Sequence, residues 1–405
     1  MTTRRRFLTD MCTLAGSIGI SGMFLGGISP QKRRRLPFSP SSPPQRPYAA
    51  SYDEKSARET LSRLETSGFT LREAKYWEKA QNGLIRCTLC PTFCELRPYQ
   101  RGRCRVRFGL ENRLVTVIYG RPCSLAVDPI EKKPVFHLVP GSTAFSFATA
   151  GCLLSCRYCQ NWQISQANPE DVDANEMSPE RLVQAAVAEG CRSIAYTYTE
   201  PTIFYEYMLD TAKIAHEKNL YNVMVSCGYI NPEPLAELLP HLDVLKIDLK
   251  GFTDRFYRTI CGGRLEPVLA TLEQAGKTKT LVDIVTLVVP TLNDDLPTLR
   301  NMFKWIAAHV GTTTSLFLSR FHPTFQLRNL PPTPIDFLEK AREEAMNAGL
   351  AYVYLGNVPG HVGESTWCPT CKTELVGRIG YALTSMRIEN GACPKCGTRI
   401  PGLWK

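Results

Sequence analysis

The body of this chain lacks a charge surplus. The 405 residues carry a formal net charge of +10. The first fifty, however, hold Arg4, Arg5, Arg6, Lys32, Arg33, Arg34, Arg35 and Arg46 against Asp10 alone. The rest of the chain is close to balance, which removes the case for a phosphate-tracking, nucleic-acid-binding surface. A long apolar run is missing too. The stretch MCTLAGSIGISGMFLGGI (11–28) is glycine-rich and only mildly apolar, so it makes a poor transmembrane helix. No clear A-x-A-type cleavage site comes right after it. Nor is a disulfide framework called for. At 43% hydrophobic residues, a chain of this length buries a sizeable core by itself.

Cysteine is abundant, with sixteen in the chain, and most fall into three groups. Cys87, Cys90, Cys94 and Cys104 lie within CTLCPTFCELRPYQRGRC. Cys152, Cys156 and Cys159 lie within GCLLSCRYCQNW, and Cys368, Cys371, Cys393 and Cys396 form CPTC and CPKC. Close Cys-x-x-Cys pairs read as metal or cluster ligands. The first group suits zinc or an iron–sulfur cluster, and spacing does not separate the two. The last has the spacing of a zinc ribbon, with a rubredoxin-like iron site as the lesser alternative. Its thin set of basic residues favours a structural or partner-docking role over nucleic acid. Cys12, Cys123, Cys191, Cys227 and Cys261 stand alone and read as small buried residues or loop positions.

From about residue 143 the chain alternates strand-like and helix-like segments. FSFATAG, SIAYTYTEP, YNVMVSCGY, LDVLKIDLKG, TLVDIVTLVVP, SLFLSRFHP and AYVYLGNV are apolar and rich in β-branched and aromatic residues. Ser178-Pro179 marks a helix start, an N-cap with proline at the first helical position. Such alternation predicts an α/β fold, a parallel sheet closed into a partial or full (β/α) barrel. In barrels of this kind chemistry sits at the C-terminal strand ends. The cysteine trio, Glu200, Ser226, Asp248 and Lys250 all fall there. The expected organisation is a signal or tether at 1–29, a basic, proline-rich linker at 30–60 and a Cys-rich module at 61–140. After these come the barrel at 141–360 and a zinc-ribbon-like module at 361–405.

The trio supplies three thiolates where a closed zinc site or a four-iron cluster wants four. No fourth cysteine lies in the same loop, so one iron of a [4Fe–4S] cluster would stay open. Cys-x-x-x-Cys-x-x-Cys after the first barrel strand, with the aromatic Tyr158 before the last cysteine, resembles the radical S-adenosylmethionine (SAM) superfamily. Around it stand YGRPCSLAVDPIEKKPVFHLVPGS, TYTEPTIFYEY, DLKGFTDRFYR, SRFHP and YVYLGNVPG. Together these are similar to AmmeMemoRadiSam-system radical SAM enzymes, relatives of the pyruvate formate-lyase activating enzymes. The resemblance runs from about residue 80 to the C-terminus.

The resemblance implies that the open iron chelates SAM and that a low-potential electron donor drives reductive cleavage. A 5′-deoxyadenosyl radical would then abstract hydrogen from an unknown protein, peptide or small molecule. It implies that Thr199 and Glu200 contact the SAM amino group. Ser226 with Gly228, and Asp248 with Lys250, would line its carboxylate and ribose. His137 and His322 lie in family-like stretches and read either as site residues or as ordinary packing. The sequence departs from the pattern at Cys227, where asparagine is expected, at Phe317, where histidine is expected, and at Asp283, where glutamate is expected. These departures keep a second reading open, a non-catalytic iron–sulfur electron-transfer or interaction protein on the same scaffold. Thr3–Leu8 (TRRRFL) resembles a twin-arginine export signal. That implies an exported or membrane-tethered protein, against the alternative of a cytoplasmic one.

Overall fold

The computed structural model describes residues 52–404. The signal or tether at 1–29, Cys12 and most of the linker lie outside the described residues. The linker expected up to residue 60 ends sooner, because a helix already occupies Glu54–Thr66. Asp53 caps it by accepting from the Ser56 amide. Leu61 and Leu64 bury its inner face, which anchors it against the core. No helix among the described residues is long and apolar enough to cross a membrane.

The core is an eight-stranded sheet. In chain order its strands are β1 (Ser124–Pro129), β2 (Thr143–Ala148), β3 (Ser193–Tyr196), β4 (Tyr221–Ser226), β5 (Val244–Asp248), β6 (Leu281–Val288), β7 (Ser315–Arg320) and β8 (Tyr352–Gly356). They pair in sequence order. β1 runs antiparallel to β2, and every pair from β2 to β8 is parallel. No pairing joins β8 back to β1 among the described residues, so the barrel is partial. The connections carry helices, among them Pro179–Ala188, Tyr205–Glu217, Glu266–Gly276, Leu296–His309 and Ile335–Asn347. Ser178 caps the first of these, as its sequence signature predicts. These helices bury the outer face of the sheet, which explains why the strands read as near-continuous apolar runs.

Two smaller modules flank the barrel. The N-terminal one holds two three-stranded antiparallel sheets. Arg107 and Glu206, both almost fully buried, form an ion pair that fastens it to the helix after β3. The C-terminal one is a three-stranded antiparallel sheet of Thr366–Trp367, Glu374–Ile379 and Ala382–Met386. Leu375, Val376 and Ile400 from this module share a buried cluster with Val285, Phe317 and Tyr354 of the barrel strands. It therefore packs into the mouth of the open barrel rather than hanging free.

Candidate functional site

The loop after β2 has little room to move. Gly151 adopts φ +98, where a side chain is strained. A Cβ there would also sit 2.5 Å from the Cys104 carbonyl oxygen. The backbone amides of Ser155 and Arg157 donate to Cys261 and Ile260, at 2.8 and 3.0 Å. The Cys159 Sγ lies 3.2 Å from the Ser165 hydroxyl on the following short helix. A local CxxxCxxC pattern thus becomes three thiols lining one cavity of about 470 Å³, a size suited to a small-molecule site.

The same cavity is lined by Thr199, Glu200, Ser226, Asp248 and Lys250. Glu200 is its organiser, buried to 1% exposure. Its Oε1 accepts from the Thr202 amide at 3.1 Å, the Thr202 hydroxyl at 2.8 Å and the Ser226 hydroxyl at 2.7 Å. Its Oε2 accepts from the Cys227 amide at 2.8 Å. These bonds tie the end of β3 to the end of β4. Tyr198, just before them, holds a left-handed φ of 66. Strain of that kind persists only where the surroundings enforce it, and here the Asn161 side chain donates to the Tyr198 carbonyl at 3.0 Å.

Asp248 ion-pairs with Lys246 and, at 3.2 Å, with Lys250. Burial pushes its carboxyl up, but the two ammonium groups outweigh that and hold it at about 2. One carboxylate between two cations leaves a net positive patch on the cavity wall. Lower on the inner face, Asp283 is buried, and burial raises its carboxyl to about 7 despite its bond to Ser315 and the nearby Lys246.

Not every expected residue reaches the site. Gly228 turns away: its amide donates to the Ser226 hydroxyl at 3.0 Å, and a Cβ there would meet Ile247 at 3.1 Å. It shapes the turn and does not line the cavity. His137 is a packing residue. Its Nε2 lies 2.8 Å from the Tyr354 hydroxyl, its ring packs on Trp404 at 5.1 Å, and burial pushes it down to about 3. His322 is exposed and lies off the cavity lining. Phe317 does line the cavity, with its ring 4.8 Å from Phe136 and 4.9 Å from Tyr354. An aromatic at that position suits the apolar seam under the C-terminal module. Cys227 also lines the cavity.

Cys261 is the residue that sequence reasoning missed. It reads as a lone buried cysteine, yet its Sγ lies 3.6 Å from the Tyr158 hydroxyl and hydrogen-bonds Cys156. The signal available was DLKGFTDRFYR, which ends three residues before it. The chain there forms a single π-helical turn, Tyr257–Cys261, a feature common at functional sites.

The donor set fits an iron–sulfur cluster. Burial pushes the Cys152 and Cys159 thiols up. At Cys156 the bond with Cys261 does so first and burial adds to it. Such thiols stay protonated unless cationic metal draws off the proton, and binding would couple to that release. Three of them beside a ligand-sized cavity suit a cluster that must also face a small molecule.

A partial α/β barrel bearing the buried Cys156 and the half-buried Cys152 and Cys159 at its mouth, beside a preorganised carboxylate, defines a class of α/β protein able to hold a cluster next to a small molecule. Comparison with known proteins makes the assignment specific. The family model described as the radical SAM superfamily matches residues 147–303. An uncharacterized protein of Methanocaldococcus jannaschii is 44% identical over 332 residues, covering 82% of this chain and 99% of that protein. The pyruvate formate-lyase-activating enzyme of Staphylococcus epidermidis is 23% identical, over 52% of this chain and 89% of that enzyme. Among solved structures, a radical SAM methyltransferase from Sphaerobacter thermophilus aligns with a TM-score of 0.41 at 11% identity, covering 76% of this chain and 85% of that one. The chain belongs to the radical SAM superfamily, and that membership implies a [4Fe–4S] cluster and SAM.

The C-terminal cysteines form a second site. The sulfurs of Cys368, Cys371, Cys393 and Cys396 lie within 4.8 Å of one another. Each knuckle turns through a left-handed residue, Lys372 at φ 57 and Gly397 at φ 74. A metal ion fits between the four thiols.

Proposed function

We propose that the protein is a radical SAM enzyme that reductively cleaves SAM and abstracts a hydrogen atom from a substrate held in the same cavity. The observation that carries this reading is the convergence of Cys152, Cys156, Cys159, Glu200, Ser226, Asp248 and Lys250 on one cavity. When bound, the cluster and SAM supply a 5′-deoxyadenosyl radical that takes hydrogen from the substrate. Cys152, Cys156 and Cys159 would hold the cluster at the mouth. Thr199 and Glu200 present the end of β3, where the SAM amino group would dock. Lys250 and Lys246 offer positive charge to its carboxylate, with Ser226 and Asp248 on the ribose side. Glu364, Gly380 and Tyr381 of the C-terminal module complete the wall and would exclude water from the reacting centre. A low-potential electron donor is required, and activase-like chemistry on a protein substrate is one form the reaction would take.

Anaerobically loaded protein with SAM and dithionite should form 5′-deoxyadenosine, and its reduced-cluster EPR signal should change when SAM is added. Cys156→Ala should lose both. An intact cluster that neither responds to SAM nor yields 5′-deoxyadenosine would replace this reading with the non-catalytic electron-transfer one. Export by the twin-arginine segment is a separate proposal, checked by fractionating cells that carry Arg4 and Arg5 changed to Lys.

A further inference from the structure

Cys87, Cys90, Cys94 and Cys104 line one small cavity in the N-terminal module. The frame around them is set by the backbone. The Cys87 amide donates to the Cys94 carbonyl at 2.9 Å, closing the first three into a hairpin. Cys104 arrives on a separate turn, in which the Arg105 amide donates to Gly102 at 2.9 Å. That turn is clamped against the radical-site loop by the close approach of the Cys104 carbonyl to Gly151.

The spread of the sulfurs separates this site from the C-terminal one. A zinc ion holds each thiolate at about 2.3 Å, which puts tetrahedral sulfurs roughly 3.8 Å apart. The C-terminal four meet that, with Cys368 to Cys396 at 3.5 Å and Cys371 to Cys393 at 3.6 Å. Among the described residues, they are the group whose donor atoms all fall within 4.8 Å. No three of the N-terminal sulfurs are drawn together in this way; they surround a void instead. A cubane holds its thiolates further apart, because irons and sulfides lie between them. The remaining walls suit such a group. Leu89, Leu96, Leu153 and Ile203 keep the cavity apolar. The buried Arg107 points a guanidinium nitrogen at the Cys87 sulfur from 3.8 Å, a cation that favours thiolates and can tune a cluster.

We propose that Cys87, Cys90, Cys94 and Cys104 bind a second [4Fe–4S] cluster, and not a zinc ion. It would neighbour the radical site directly. Leu153 lines this cavity, while Cys152 and Leu154 line the other. The two thiol sets thus sit on opposite sides of one tripeptide.

The test is metal content of the full chain after anaerobic reconstitution, with Mössbauer spectra to count clusters. The expected result is about eight irons, about eight acid-labile sulfides and about one zinc per chain, two cubanes and one zinc site. The triple variant of Cys152, Cys156 and Cys159 to Ala should keep about four irons and an EPR signal indifferent to SAM. A Cys87→Ala, Cys90→Ala variant should lose about four irons. If that variant fails to fold, the triple variant still decides the matter. About four irons with about two zincs in the unaltered chain would overturn the proposal in favour of zinc. About four irons with about one zinc, or a triple variant without iron, would overturn it as well. None of these counts depends on whether the radical site cleaves SAM.

Discussion

Replacing Glu200 with glutamine keeps the shape of the side chain and removes its charge. The carboxylate accepts four hydrogen bonds, from the Thr202 and Cys227 amides and from the Thr202 and Ser226 hydroxyls. Glutamine has one accepting end. With its oxygen toward Thr202, its NH₂ faces the Cys227 amide, donor against donor. Reversed, it faces the Thr202 amide instead. The hydroxyls can rotate to accept, but neither backbone N–H can. One buried donor is therefore orphaned in either orientation, at about 1–3 kcal/mol, and the charge-assisted bonds weaken as well. We expect a total loss of about 2–4 kcal/mol. It should appear in urea unfolding as a lower midpoint at unchanged m. Because the same bonds join the ends of β3 and β4 at the cavity, SAM affinity should fall in parallel. A Glu200→Gln protein with unchanged midpoint and unchanged SAM binding would refute the role of this carboxylate as organiser.

The buried pair of Arg107 and Glu206 should show the cost of removing one partner alone. Glu206→Leu is expected to destabilise by about 3–5 kcal/mol, and the double variant with Arg107→Leu by less than the sum, measured by a double-mutant cycle. Asp283 makes stability depend on pH. Its folded carboxyl lies near 7, above the ordinary 3.8. The native state therefore holds the proton more tightly, and stability present below pH 3.8 is lost as pH rises toward 7. The loss is at most about 4 kcal/mol. Asp283→Asn should flatten the curve relative to wild type over that window; parallel curves would count against it. Cys393→Ser with Cys396→Ser should abolish metal binding by the C-terminal thiols and loosen the C-terminal module from Phe317 and Tyr354. Limited proteolysis should then cut within 361–405 while iron content stays unchanged.

Much of the site is legible in local pattern. Strand and helix periods place the βα units, and strand ends place Glu200, Ser226, Asp248 and Lys250 at one mouth, because a parallel barrel collects those ends on one side. Gly228 escapes that logic, since adjacent residues at a strand end face opposite ways and only the turn decides which one enters the cavity. His137 and Phe317 are hidden for a different reason. Each packs in the seam where the C-terminal module meets the barrel, which no spacing reveals.

The amino-acid sequence by itself determined the cysteine groups, the order of strands and helices, and the three-thiol ligand pattern after the first parallel strand, because these depend on neighbours a few residues apart. Tertiary structure decided which thiols share a space. Cys261 meets Cys156 and Tyr158 across about a hundred residues, and Cys104 closes the N-terminal set from a separate turn. The spread of four sulfurs, tight around a point at the C-terminus and open around a void at the N-terminus, is likewise a property of how turns are clamped in space.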